Sequence, residues 1–157
     1  LGFYLLPFHH SERKKHKLSP KFYFFDTGVL RAIQKRLSLL VTPETYEYGN
    51  YFETFFINEV IRINSYLKKD WQLSFLRTKN NVEVDLIIQT PLGQIIGIEI
   101  KSKSNPEYLD FKSGLAALKA FTSNVKFFCV CTGKKARLVE QIEILPFSEM
   151  LQLLRAL

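Results

Sequence analysis

No apolar run in this sequence approaches the roughly 20 residues that a membrane span needs, so no membrane-spanning segment is expected. Glycine and proline are few, 7 and 6 among 157 residues, which excludes a fibrous or low-complexity chain. The 46% of hydrophobic residues is that of a packed domain, and at this length one domain buries roughly two-thirds of the surface its unfolded chain exposes. Cysteine is nearly absent. Cys129 and Cys131 stand two apart in an apolar run, and on a strand such neighbours share a face without being placed to bridge. A disulfide framework is thereby excluded and a reducing, cytoplasmic setting is expected. With no Cys-x-x-Cys or matching His pair to make a zinc site, both read as small buried hydrophobes. Internal repeats are missing too. Methionine occurs only at Met150 and the first residue is Leu1, so a fragment of a longer protein is expected; the opening residues lack the basic start and cleavage site of a secretory signal.

Charge is present and unevenly spread. Of the formal net charge of +7, four units lie between Glu12 and Lys21, where Arg13, Lys14, Lys15, Lys17 and Lys21 face one acid. A polyanionic partner and a solvated linker explain such a run equally well. His9, His10 and His16, the only histidines, fall in this basic stretch and read as solvated side chains.

Periodicity orders the chain. Phe3 to Phe8 and Lys21 to Phe25 read as short strands able to pair, with the basic stretch as a loop between them. Asp26-Thr27-Gly28 turns into a short helix from Val29 to Leu37, with Asp26 or Thr27 accepting from the free first-turn amides. From Glu47 to Lys68, Phe52, Phe55, Phe56, Val60, Ile63 and Leu67 recur at three- and four-residue steps, the period of a long packed helix. Gln72 to Arg77, Val82 to Thr90 and Gln94 to Lys101, parted by Lys79-Asn80-Asn81 and Pro91-Leu92-Gly93, form a three-stranded meander. A second helix runs from Pro106 and Glu107 to about Phe121, followed by a crossover strand from Val125 to Thr132. A strand from Glu140 to Leu145 and a helix from Glu149 to Leu154, capped by Ser148, close the chain. The expectation is an α/β domain over residues 47–157, behind an extension over 1–46.

Two charges interrupt strands that otherwise read as central. Asp85 lies in Val-Glu-Val-Asp-Leu-Ile-Ile and Glu99 in Ile-Ile-Gly-Ile-Glu-Ile-Lys, where unpaired charge is unfavourable. By the period of two, Asp85 shares a face with Ile87, while Val84, Leu86 and Ile88 point the other way; Glu99 shares a face with Lys101, opposite Ile98 and Ile100. Carboxylates brought together across an antiparallel pair repel unless a cation lies between them, and an oxygen-only pair suits Mg²⁺ or Mn²⁺ rather than Zn²⁺. Lys101 would then serve an attacking water or neutralise a phosphate, and Glu53, at the margin of the helical stripe, adds a further carboxylate. These parts suit phosphodiester hydrolysis.

Glu53, Asp85 and Glu99-x-Lys101 on a helix, three-stranded meander, helix, strand frame resemble the restriction-endonuclease-like superfamily, written PD-(D/E)xK, with Val84 in place of the proline. Pro20 to Leu30, Gly49 to Glu53, Arg77-Thr78, Glu83-Val84-Asp85 and Glu99-Ile100-Lys101 together look like the uncharacterised C-terminal domain of a class of prokaryotic AAA+ ATPases. That resemblance implies a P-loop motor, which alone would use ATP, and a winged-helix segment before Leu1, since no Gly-x-x-x-x-Gly-Lys-Ser/Thr occurs here. Any oligomer would form through that ATPase. The superfamily implies a metal on Asp85 and Glu99 with help from the Ile100 carbonyl, a second metal or a water on Glu53, and Lys101 assisting the nucleophile.

The expected partner is accordingly DNA, with Arg77, Lys79, Lys103 and Lys112 touching the phosphate backbone and Lys134, Lys135 and Arg137 extending the basic track. Solvated surface charge explains the same residues. Phe22, Tyr23, Phe24, Phe25, Phe55, Phe56, Phe127 and Phe128 fall at strand or helix spacing and read as core. A non-cleaving module that binds DNA or protein, and an internal ion network without a ligand, are the alternatives to a nuclease.

Overall fold

The computed structural model describes residues 1–8 and 19–157. His9, His10, His16 and most of the basic stretch, Arg13, Lys14, Lys15 and Lys17 included, lie outside the described residues. The described chain is a mixed α/β structure built on one open sheet of eight strands with four α-helices. The strands are β1 (Gly2–Pro7), β2 (Lys21–Phe24), β3 (Gln72–Arg77), β4 (Glu83–Gln89), β5 (Ile95–Ile100), β6 (Val125–Cys131), β7 (Arg137–Val139) and β8 (Ile142–Pro146). The helices are α1 (Thr27–Ile33), α2 (Tyr46–Tyr66), α3 (Lys112–Phe121) and α4 (Phe147–Ala156). Strand order is β2-β1-β3-β4-β5-β6-β8-β7. The expected hairpin of β1 and β2 forms, antiparallel, and β1 then runs parallel to β3, so the first strands extend the same sheet.

Helices cover both faces. Phe52, Phe56, Ile57, Val60 and Ile63 of α2, with Met150, Leu151 and Leu154 of α4, pack on Leu86, Ile88, Ile96, Ile98 and Ile100. On the other face Phe111, Leu115 and Leu118 pack on Val84, Ile87, Ile95, Phe127 and Cys129. The apolar stripe of α2 is rotated slightly from the expected one: Ile57 is fully buried, whereas Phe55 is 39% and Leu67 49% exposed. Cys129 and Cys131 are free and buried, as expected.

Local chemistry explains where elements begin and end. The Asp26 carboxylate, rather than Thr27, accepts from the Val29 amide, and α1 ends at Ile33 ahead of Lys35, whose φ is 57°. The expected helix over 106–121 is split: a 3₁₀ turn at Tyr108–Asp110 precedes α3, because the Asp110 carboxylate takes the Glu107 amide and buried Phe111 leaves helical geometry at φ −135°. Glu140 and Gln141 are not strand residues. Both have positive φ, 48° and 67°, and form the two-residue turn between β7 and β8 without the usual Asn-Gly signal. Ser148 caps nothing: α4 begins at Phe147, straight from Pro146, with no side-chain cap.

The largest departure from simple alternation is in β4. Ser74 pairs with Ile87 but Leu76 with Val84, so β4 spends one residue more than β3 in the same span. That β-bulge sets Asp85 and Leu86 together against Phe75. Val84 therefore joins Ile87 on the α3 face, while Leu86 packs on the α2 face. The period-of-two assignment that set Val84 opposite Ile87 is thus corrected at Val84, while Leu86, Ile87 and Ile88 alternate as expected.

Close packing at the centre of the sheet gives a direct check. A Cβ on Gly97 would lie 2.4 Å from Leu118 Cδ2 and 2.9 Å from Phe127 Cδ2. Gly97→Ala is expected to destabilise the fold by about 1–3 kcal/mol through overpacking, and combining it with Leu118→Ala to lose less than the sum of the two single changes. Urea unfolding of the three variants measures the coupling; strict additivity would contradict the packing.

Candidate metal and phosphate site

The bulge positions the site. The β4–β5 ladder runs from Gln89↔Ile95 to Leu86↔Ile98 and stops there, while β5 continues beside β6 to Ile100↔Val130. In the opening so made, the Asp85 carboxylate replaces a backbone carbonyl: Oδ2 accepts from the Ile100 amide at 2.8 Å. Asp85 is thereby tied to the residue that follows Glu99. Glu99 is only 6% exposed, lies beside Cys129 across the parallel pair, and is covered by α3, where a Cβ on Gly114 would come 3.1 Å from its Oε2. Its Oε1 pairs with Lys101 Nζ at 2.7 Å, and its Oε2 is buried without a hydrogen-bond partner. Asp85 and Glu99 thus approach each other from neighbouring strands, near enough for the charge of one to act on the other.

Glu53 arrives from α2. Gly49, Asn50 and Glu53, with Asp85, Ile100 and Lys101, wall a cleft of about 340 Å³. Glu53 Oε1 accepts from the Tyr23 hydroxyl at 2.5 Å and lies 3.4 Å from Lys21 Nζ. The same ammonium is 2.9 Å from Glu83 Oε2, and Glu83 Oε1 is held by Arg77 Nε. Burial opposes the charge on Lys21, but the Glu53 carboxylate and the hydrogen bond to Glu83 outweigh it and raise its pKa. Burial, then Glu53, pushes the Tyr23 hydroxyl up as well, so it stays a donor.

Electrostatics marks the carboxylate pair as unsatisfied. Desolvation, then the Glu53 charge, raises the Asp85 pKa against the Ile100 hydrogen bond. Desolvation, then the Asp85 charge, raises that of Glu99 despite Lys101. Burial disfavours the Lys101 ammonium, yet Glu99 keeps it protonated. Among the described residues no three or more His, Cys, Asp or Glu side chains converge as a metal cage. Mg²⁺ and Mn²⁺ do not need one: they bind through one or two carboxylates and fill their shell with water and substrate oxygens. The orphaned Glu99 Oε2 and the raised carboxyls fit such an ion.

The basic residues expected on a phosphate track are scattered in role. Arg77 is taken by Glu83 and lies over the Phe75 ring, Lys103 pairs with Asp110, and Arg137 donates to the Pro106 carbonyl. Lys79, Lys112, Lys134 and Lys135 are exposed. Lys21, Tyr23, Glu83 and Gly114 belong to the site and were not assigned to it from sequence. Tyr23 is core, as expected, but its hydroxyl carries a second role; alternation of Lys21 and Tyr23 on one strand face was the available signal.

Comparison with protein-family models matches residues 48–150 to a Domain of unknown function, DUF4143. The chain belongs to this family. Neither the curated proteins nor the solved structures returned a match. The DUF4143 stretch contains Glu53, Asp85, Glu99 and Lys101, whereas Lys21 and Tyr23 precede it.

Asp85 and Glu99 hold protons more tightly folded than unfolded. Their stabilisation is complete below the ordinary carboxylate range and is lost as pH rises through the raised values. With a chelator present, the melting temperature is expected to fall from mildly acidic to mildly alkaline pH, and Glu99→Gln to flatten that slope. Melting curves across the range test it; an unchanged slope in the variant would assign the pH dependence elsewhere.

Proposed function

We propose that this domain is a Mg²⁺- or Mn²⁺-dependent phosphodiesterase of restriction-endonuclease-like, PD-(D/E)xK type, hydrolysing DNA as part of a larger AAA+ ATPase. The observation that carries the reading is the junction of Asp85 and Glu99 where β4 and β5 part, with Glu99 Oε2 unpartnered and Lys101 beside it. Asp85 and Glu99 are the residues to hold the ion. A divalent cation bound there would offset their mutual repulsion and the charge that builds on the phosphate during attack. Lys101, beside Glu99, would orient water toward phosphorus and compensate the developing negative charge. Lys79, Lys103 and Lys112 are the candidates for contact with the nucleic-acid backbone. The order helix, three antiparallel strands, helix, parallel strand from Tyr46 to Cys131 supports the superfamily reading.

One observation favours a second reading. Lys101 already neutralises Glu99, and Lys21 with Arg77 neutralises Glu83, so the same charges suit a closed ion network in a silent module that binds DNA or protein and regulates the ATPase. The two readings differ in their response to metal, because an ion that binds only the native state must raise its stability.

Labelled linear, branched and single-stranded DNA incubated with this chain and Mn²⁺ or Mg²⁺ is expected to be cleaved. Asp85→Ala abolishes cleavage and Lys101→Ala lowers it by about 10²- to 10⁴-fold, both remaining folded. An inert parent with no Mn²⁺-dependent rise in melting temperature would select the silent module.

A further inference from the structure

We propose that Lys21 and Tyr23 are positioning residues that hold Glu53 outside the metal shell, so that the site takes one divalent cation, on Asp85 and Glu99. The proposal rests on the metal reading above and decides what that reading leaves open, whether Glu53 carries a second ion. Both contacts of Glu53 fall on Oε1, from the Tyr23 hydroxyl at 2.5 Å and from Lys21 Nζ at 3.4 Å. An oxygen that accepts from a hydroxyl and faces an ammonium has its lone pairs engaged and its charge compensated. A second cation at Glu53 would have to displace these donors or settle beside the Lys21 ammonium, a like charge held close in partly dry surroundings.

The clamp cannot easily swing aside. Lys21 and Tyr23 are two apart on β2 and so face α2 together. The Tyr23 ring is buried and stacks on Phe3, with centroids 5.7 Å apart. Lys21 Nζ lies 5.3 Å from the centre of the Phe75 ring and is also held by Glu83, which Arg77 grips in turn. Asn58 Nδ2 donates to the Phe24 carbonyl at 2.8 Å, pinning β2 to the helix that carries Glu53. Glu53 is therefore an oriented acceptor, suited to holding a water rather than an ion. The clamp comes from the N-terminal hairpin, outside the stretch matched by the family model.

Counting bound Mn²⁺ on the intact chain, by the electron paramagnetic resonance of the free ion, tests this without reference to activity. The parent is expected to bind one Mn²⁺, the Lys21→Met, Tyr23→Phe double variant two, and the same variant carrying Glu53→Gln one. Tyr23→Phe alone, which removes a single oxygen, gains the second ion more weakly, and Lys21→Arg keeps one; these guard against misfolding of the double variant, with melting temperature as the check. Two ions on the parent, or one on both the folded double variant and Tyr23→Phe, overturns the clamp while leaving the metal reading standing. No ion on the parent overturns the metal reading and the clamp with it.

Discussion

The hydrogen bond from the Ile100 amide to the Asp85 carboxylate is the contact on which the site depends. A sheet normally satisfies such an amide with a neighbouring carbonyl. Here one extra residue in β4 ends the ladder at Leu86, and a side chain takes the carbonyl's place. The exchange does two things at once: it satisfies the Ile100 amide where the strands part, and it fixes a carboxylate at the mouth of the opening. Glu99, on the next strand and under Gly114, then meets it.

Around that contact, charge is graded by burial. Glu99, nearly enclosed, has one oxygen on Lys101 and one on nothing. Glu53 and Glu83, more open, are shared among Tyr23, Lys21 and Arg77. A buried carboxylate without a full set of donors is costly to keep ionised, and burial raises the pKa of Asp85 and of Glu99 accordingly. The outer network is balanced; the inner pair is not, and Asp85 and Lys101 line the cleft while Glu99 lies buried behind them. The unpartnered oxygen is the least satisfied polar group of the site, whereas Arg77, Lys103 and Arg137 of the basic track are already held within the fold.

The hairpin at the start of the chain is structural and local to the site at once. β1 adds to the sheet beside β3, and β2 presents Lys21 and Tyr23 to α2. A strand placed mainly by backbone pairing can thus set the state of a carboxylate on a helix it precedes by a long loop and a short helix.

Much of this was legible in the chain itself. The long period of α2, the meander punctuated by Lys79-Asn80-Asn81 and Pro91-Leu92-Gly93, and the apolar crossover strand follow from spacing, and Asp85, Glu99 and Lys101 stand out because charge does not belong in such runs. Local exceptions were not: the turn at Glu140-Gln141 lacks a glycine, Phe111 breaks a helix that composition allows, and the bulge at Asp85 carries no marker residue. Alternation fails there because register is settled by the partner strand, where Ser74 and Leu76 choose Ile87 and Val84. Residue type and period alone determined that this protein is α/β, which segments are helices and central strands, and which buried charges need a reason. Only the tertiary structure decided that Asp85 faces the Ile100 amide, that Glu99 Oε2 is buried without a donor, and that Tyr23 and Lys21 hold Glu53, because each depends on which residues sheet order and packing bring together.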